Sequence, residues 1–205
     1  MRKSAIPFGP DDHMVKNYFP VPNSVFTLGL STGALVTQMY RTLQRRRGTL
    51  SAEALSGGLG KSVRTVTGYL QELEKCGVAC TGQKASGNFF LMSKTIFDLG
   101  LSLGAIATYA YLMRCENRES HQCWPSMATI GEQIGKTRKS VMAYVRELEE
   151  KQLIYTEHST VWGKDGQKRN ANLICTIRPI ADAKRYHYEQ QVLMNERWAA
   201  ENRAA

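Results

Sequence analysis

The sequence predicts a mostly α protein with small β-hairpins, an α+β chain built from two copies of one unit and closed by a C-terminal helix. Three observations predict it. The 205-residue chain spells Phe-x-Leu-Gly-Leu-Ser-x-Gly-Ala twice, at Phe26–Ala34 and again at Phe97–Ala105. Apolar residues after each copy recur at helical spacing. Each helical stretch then gives way to β-rich text broken by glycine.

The duplication extends beyond these nine residues. Phe26, Leu28, Gly29, Leu30, Ser31 and Gly33-Ala34 match Phe97, Leu99, Gly100, Leu101, Ser102 and Gly104-Ala105 at an offset of 71. Further on, Gly60-Lys61, Val66, Tyr69 and Glu72-Leu73-Glu74 match Gly135-Lys136, Val141, Tyr144 and Glu147-Leu148-Glu149 at an offset of 75. The second copy therefore carries a four-residue insertion, most simply in "CENRESHQCW" where the first has "QRRRGT". Two matched blocks in the same order, with one loop insertion, indicate internal duplication.

Each copy gives the same local signals in order. Ser31 and Ser102 are N-cap residues for first helices through "TGALVTQMYRTLQR" and "LGAIATYAYLMRC". After a polar loop, "SAEALSGGLG" and "PSMATIGEQIG" read as short second helices, with Gly60 and Gly135 suited to the left-handed residue that ends a helix. Third helices follow in "KSVRTVTGYLQELEKCGV" and "KTRKSVMAYVRELEEKQLI", capped by Ser62 and Thr137. Val66, Leu70 and Leu73 form one buried stripe there, and Val141, Val145 and Leu148 repeat it. "VACTGQKASGNFFLM" and "LIYTEHSTVWGKDGQKRNANLICTI" then read as hairpins. Three helices with a tight turn before the third, followed by a hairpin, describe a winged helix-turn-helix, with the hairpin as the wing.

The expected organisation is an N-terminal arm at 1–21, a first winged domain at 22–92, a second at 93–178, and a C-terminal helix and tail at 179–205. The arm mixes Pro, Gly and charge without periodicity, so it is expected to be disordered or packed along the first domain. The tail "DAKRYHYEQQVLMNERWAAENRAA" has no Gly or Pro and reads as a helix. Docking back on the second domain is the expectation for it, and pairing with another subunit as a homodimer is the alternative.

The text "NYFPVPNSVF", "IFDLGLS", "CWPSMATIG", "GKTRKSV" and "ELEEKQLI" resembles the winged-helix module of replication initiators and replisome organisers. Those proteins occur on plasmids, phages and integrative elements of Gram-positive bacteria. The resemblance covers most of 17–177 and is strongest in the second copy. The first copy departs from it, with "TLSAEALSGGLG" where the family has an aromatic-Pro-Ser entry to the second helix. The resemblance implies sequence-specific binding of double-stranded DNA, with a role in replication and a helicase or helicase loader as partner. Related modules also serve transcriptional regulators, and a third reading is a protein–protein adaptor.

Charge agrees with a polyanionic partner. The formal net charge is +9 and the isoelectric point about 9.4, which suggests nucleic acid or an acidic membrane surface. No apolar run approaches the roughly 20 residues needed to span a bilayer, and no signal peptide is read at the N-terminus. A cytoplasmic protein without a membrane partner is expected. The five cysteines at 76, 80, 115, 123 and 175 are odd in number, and reduced thiols are expected. Cys115 and Cys123 flank His121, but their spacing matches no common structural zinc pair, so neither metal nor cofactor is expected.

In such a module the third helix enters the major groove with the face opposite its buried stripe. That face comprises Ser62, Arg64, Thr67, Gly68 and Gln71 in the first copy, and Thr137, Arg138, Lys139, Met142 and Arg146 in the second. The guanidinium fork of Arg64 or Arg138 suits both acceptors of a guanine edge, and Gln71 suits adenine. Cations on an exposed helix are usually just solvated. Here acidic residues are absent from 61–68 and 136–143, although the helix dipole favours them there. An anion expected at both entrances explains that absence.

The second wing adds Lys164, Lys168 and Arg169 for salt-dependent contact with phosphates, and the first wing has only Lys84. The arginines of "RTLQRRR" suit either the helix dipole or backbone phosphates. Enzyme chemistry is not expected, because the chain shows no phosphate-cradling loop, HExxH, nucleophile elbow or carboxylate dyad. "SGGLGKS" lacks the spacing of a nucleotide loop and joins two helices. Two rigidly joined reading heads would address two subsites at fixed spacing, the second at high effective concentration. Binding would be directional without requiring a palindromic site.

Overall fold

The computed structural model describes residues 17–44, 51–78, 88–162 and 167–202. Within them the chain is mostly helical with small antiparallel sheets. Strand β1 (Tyr18–Pro22) leads through a 3-10 turn (Asn23–Thr27) to helices α1 (Thr32–Gln44), α2 (Ala52–Leu59) and α3 (Val63–Lys75). The same order then recurs: β2 (Phe89–Ser93), a 3-10 turn (Lys94–Phe97), α4 (Leu103–Cys115), the short β3 (Gln122–Cys123), α5 (Met127–Ile134) and α6 (Arg138–Glu150). Strands β4 (Ile154–Trp162) and β5 (Lys168–Ile177) follow, and α7 (Ile180–Glu201) ends the described chain.

Local chemistry sets these boundaries. Ser51, Ser62, Ser126 and Thr137 each accept a backbone N–H three residues on, capping α2, α3, α5 and α6. Gly60 (φ 59°) and Gly135 (φ 65°) stop α2 and α5 in the left-handed region, where a Cβ is costly. The third helices end sooner than the sequence text suggests, and Ile154 already belongs to β4.

The first helix of each copy is the most enclosed. Every residue from Thr32 to Thr37 in α1, and from Gly104 to Leu112 in α4, is buried. These two helices pack against each other at the centre, and each also packs against the third helix of its own copy. Gly33 and Gly104 permit the latter contact, because a Cβ there would lie 2.1 Å and 2.0 Å from the rings of Tyr69 and Tyr144. The stripe of Val66, Leu73, Val141, Val145 and Leu148 is fully buried, and Leu70 is half-buried.

The sheets differ from the expected hairpins. Phe89–Met92, expected as the returning arm of the first wing, form β2, which among the described residues pairs antiparallel with β1. Tyr18–Val21, expected within the arm, are that partner strand. Residues 1–16, and 79–87 with Lys84, lie outside the described residues, as do 45–50 with the last three arginines of "RTLQRRR". The second sheet has the order β3-β5-β4, so the insertion loop supplies an edge strand beside the β4–β5 hairpin. The insertion is held by the Asn117 side chain, which accepts from Glu119 N and Ser120 N, and by a 2.6 Å contact between His121 Nδ1 and Glu116 Oε1. Cys123 and Cys175 face each other across β3 and β5, both buried. Hydrogen bonding with Cys175 and burial push the Cys123 thiol well above its ordinary range. No group of three or more His, Cys, Asp or Glu side chains that could hold a metal ion occurs among the described residues.

The tail is helical but docks only at its start. Ile180 and Ala183 pack on the core, and Asp182 pairs with Arg178 and Arg185. Farther along, Tyr188, Met194 and Trp198 are each about two-thirds exposed, at 67%, 69% and 68%. The expected return onto the second copy therefore fades after about two turns, with Tyr186 and His187 half-buried and Tyr188 exposed, because the apolar side chains beyond are spread around the helix. No helix among the described residues is long and apolar enough to cross a membrane.

Candidate nucleic-acid interface

The N-terminal halves of α3 and α6 stand out in solvent. Ser62, Arg64, Thr67, Gly68 and Gln71 are exposed on α3, and Thr137, Arg138, Lys139, Met142 and Arg146 are exposed on α6. Lys61 and Lys136, immediately before the two caps, are exposed as well; the shared Gly-Lys pair carried that signal in the sequence. Neither Arg64, Arg138, Lys139 nor Arg146 forms an ion pair within the described residues. Their charges are free for an external anion.

The hydroxyls have other duties. Ser62 Oγ accepts from Thr65 N at 3.2 Å and lies 2.8 Å from Thr65 Oγ1. Thr137 Oγ1 accepts from Ser140 N at 3.3 Å and lies 3.0 Å from Ser140 Oγ. Thr67 Oγ1 donates back to Val63 O at 2.9 Å, leaving its lone pairs outward. Polar contacts from this face therefore fall chiefly to the long side chains and to free backbone N–H groups at the helix entrances.

Acid-free first turns are not confined to the third helices; α1, α4 and α5 have them too. The contrast lies in what each N-terminus meets. At α1, Glu72 of α3 accepts from both Ser31 N (2.5 Å) and Ser31 Oγ (2.7 Å). At α4, Glu147 of α6 accepts from Ser102 N and Ser102 Oγ, each at 2.6 Å. Among the described residues, a carboxylate thus bonds the start of each first helix, and none bonds the start of α3, α5 or α6. In α2, Glu53 sits in the first turn, its carboxyl held below the ordinary range by a hydrogen bond with the Ser51 side chain.

These two glutamates also aim the exposed face. Each locks the C-terminal half of a third helix to the start of a first helix, while a tyrosine one turn earlier lies over a glycine of that same first helix. Neither latch was read from the sequence, although the Glu-Leu-Glu match at the longer offset held the signal.

The wing cations are only partly placed. Lys164 lies outside the described residues. Lys168 and Arg169 open β5, opposite Trp162 and Val161 of β4, so their backbones stand next to the hairpin turn.

A family model described as a helix-turn-helix domain matches residues 99–154, from just after the second 3-10 turn through α6 to the first residue of β4. No curated protein matches the chain. A helix-turn-helix places its last helix in the major groove of DNA, and within the matched span that helix is α6.

Proposed function

We propose that the chain is a tandem winged helix-turn-helix protein that binds double-stranded DNA sequence-specifically, with α3 and α6 as the two reading helices. The observation that carries this reading is the pair of exposed third-helix entrances, each bearing cations that form no ion pair, and meeting no carboxylate, among the described residues. Lys164, Lys168 and Arg169 supplement them from the second wing as phosphate contacts. The chain is a binding protein and not an enzyme on this reading.

The resemblance of "IFDLGLS", "CWPSMATIG" and "GKTRKSV" to initiator modules supports a finer role, marking a replication origin on a plasmid, phage or integrative element. The exposed tail helix, with Tyr188, Met194 and Trp198 outward, is then the surface offered to a helicase or helicase loader. Selection of bound sequences from a random duplex pool tests the reading. Recovery of a common motif that falls in origin repeats supports the initiator role, and recovery at promoters makes the protein a transcriptional regulator. Failure to retain any duplex selectively would leave only the adaptor reading.

A further inference from the structure

The two copies touch each other reciprocally. The repeat offset of 71 extends upstream into β1 and β2, so Tyr18, Phe19, Pro20, Val21 and Pro22 correspond to Phe89, Phe90, Leu91, Met92 and Ser93. In the sheet, Tyr18 pairs with Ser93, Phe19 with Met92, Pro20 with Leu91, Val21 with Phe90 and Pro22 with Phe89. Pro20 therefore faces its own counterpart, and every other pair has a mate with the roles exchanged.

The core repeats this exchange. Phe26 meets Tyr111 edge-on at 5.3 Å between ring centroids, and Phe97 meets Tyr40 edge-on at 4.8 Å. Phe19 lies 6.2 Å from Phe97, and its counterpart Phe90 lies 6.3 Å from Phe26. Thr32 of the first copy donates its hydroxyl to Ile134 O of the second at 2.7 Å. Its counterpart Leu103 lines a cleft with Leu59 and Gly60, the matching helix end of the first copy. Contacts in which i meets j and j meets i mark an isologous interface, generated by a two-fold axis. Two copies related by simple translation would place unlike positions together without exchange.

We propose that the DNA target is an imperfect inverted repeat, with one half-site for α3 and a different one for α6, read by a single chain. This deepens the function proposed above and rests on it. An axis that exchanges the two copies also exchanges α3 with α6, so the two entrances approach DNA in opposite senses. A duplex has two-fold axes of its own perpendicular to its length, and paired helix-turn-helix units use them by reading half-sites that run in opposite directions. The half-sites differ in sequence because corresponding reading positions differ. Arg64 matches Lys139, Thr67 matches Met142, and Gln71 matches Arg146. Gln71 suits an adenine in the α3 half, where Arg146 suits a guanine in the α6 half. Direction on DNA thus comes from unequal halves.

The test uses the full-length chain and the duplexes recovered by selection. Probes carry the two blocks in inverted or direct orientation, with the spacer scanned over one helical turn, and the number of chains per duplex is measured by mass. The expected result is one chain per site, two related but unequal inverted blocks, and a loss of about 100-fold when one block is reversed, since several mismatched base pairs accumulate. Gln71→Ala should relax base preference in one block only, and Arg146→Ala in the other. Direct-repeat probes bound equally well, two chains per inverted site, or both variants relaxing the same block would overturn the inference while leaving DNA binding intact. Absence of any selected duplex would instead overturn the function on which it rests.

Discussion

Ser102 donates both its backbone N–H and its hydroxyl to the Glu147 carboxylate, each at 2.6 Å. One carboxylate thus satisfies the entrance of α4 and ties α6 to it, and Glu72 repeats the arrangement with Ser31. Hydrogen bonds to a charged acceptor contribute about 1.5–3 kcal/mol, less where solvent reaches them. Glu147→Ala is expected to lower unfolding free energy by about 1–2 kcal/mol. A double-mutant cycle with Ser102→Ala in urea unfolding should show coupling of at least about 0.5 kcal/mol. Additive losses would show that the latch contributes only local helix capping.

Gly104 meets the Tyr144 ring so closely that a Cβ would sit 2.0 Å from it. Gly104→Ala must push the ring, and α6 with it, away from α4. Overpacking of this kind costs about 1–3 kcal/mol, against the gain of under about 1 kcal/mol that alanine normally brings to a helix. Thermal unfolding should show net destabilisation, partly restored by adding Tyr144→Leu. A more stable Gly104→Ala protein would mean that helix propensity outweighs the contact.

The parts of the fold legible in the sequence are those written in neighbouring residues. Ser62 and Thr137 announce their helices, Gly60 and Gly135 end theirs, and the stripe through Val141, Val145 and Leu148 follows from helical period alone. Pairing of β1 with β2 was not legible, because alternation reveals a strand and not its partner; Phe89–Met92 read equally well as the arm of a wing. Strand β3 spans only Gln122 and Cys123, too short to show any period. The exposed cations of α3 and α6 were legible as a face. What aims that face, Glu72 and Glu147 reaching across 41 and 45 residues, was not, since those contacts are long-range.

The tail offers a different kind of check. Past His187 its large apolar side chains Tyr188, Leu193, Met194 and Trp198 are exposed, Trp198 at 68%. Truncation after His187 should therefore change unfolding free energy by less than about 0.5 kcal/mol, as surface changes do, and should leave affinity for a selected duplex unaltered. A large loss of stability or of DNA affinity would show that the distal helix belongs to the folded body or to the reading surface.

Reading helix and wing should separate under salt. Arg138 and Lys139 stand exposed at the entrance of α6, beyond the buried stripe, and on the proposed reading they meet base edges and phosphates. Lys168 and Arg169 open β5 opposite Trp162 and Val161, and on the proposed reading they contact the phosphate backbone without regard to sequence. Replacing Arg138 and Lys139 by alanine should cost about 1–3 kcal/mol per lost base contact and relax preference at those positions. Replacing Lys168 and Arg169 should weaken all duplexes alike, and each lost phosphate contact should reduce the slope of log affinity against log salt by about 0.9. The two double variants are compared on one selected duplex and one random duplex across a salt series. Equal losses with an unchanged slope in both would show that the α6 face does not enter the groove.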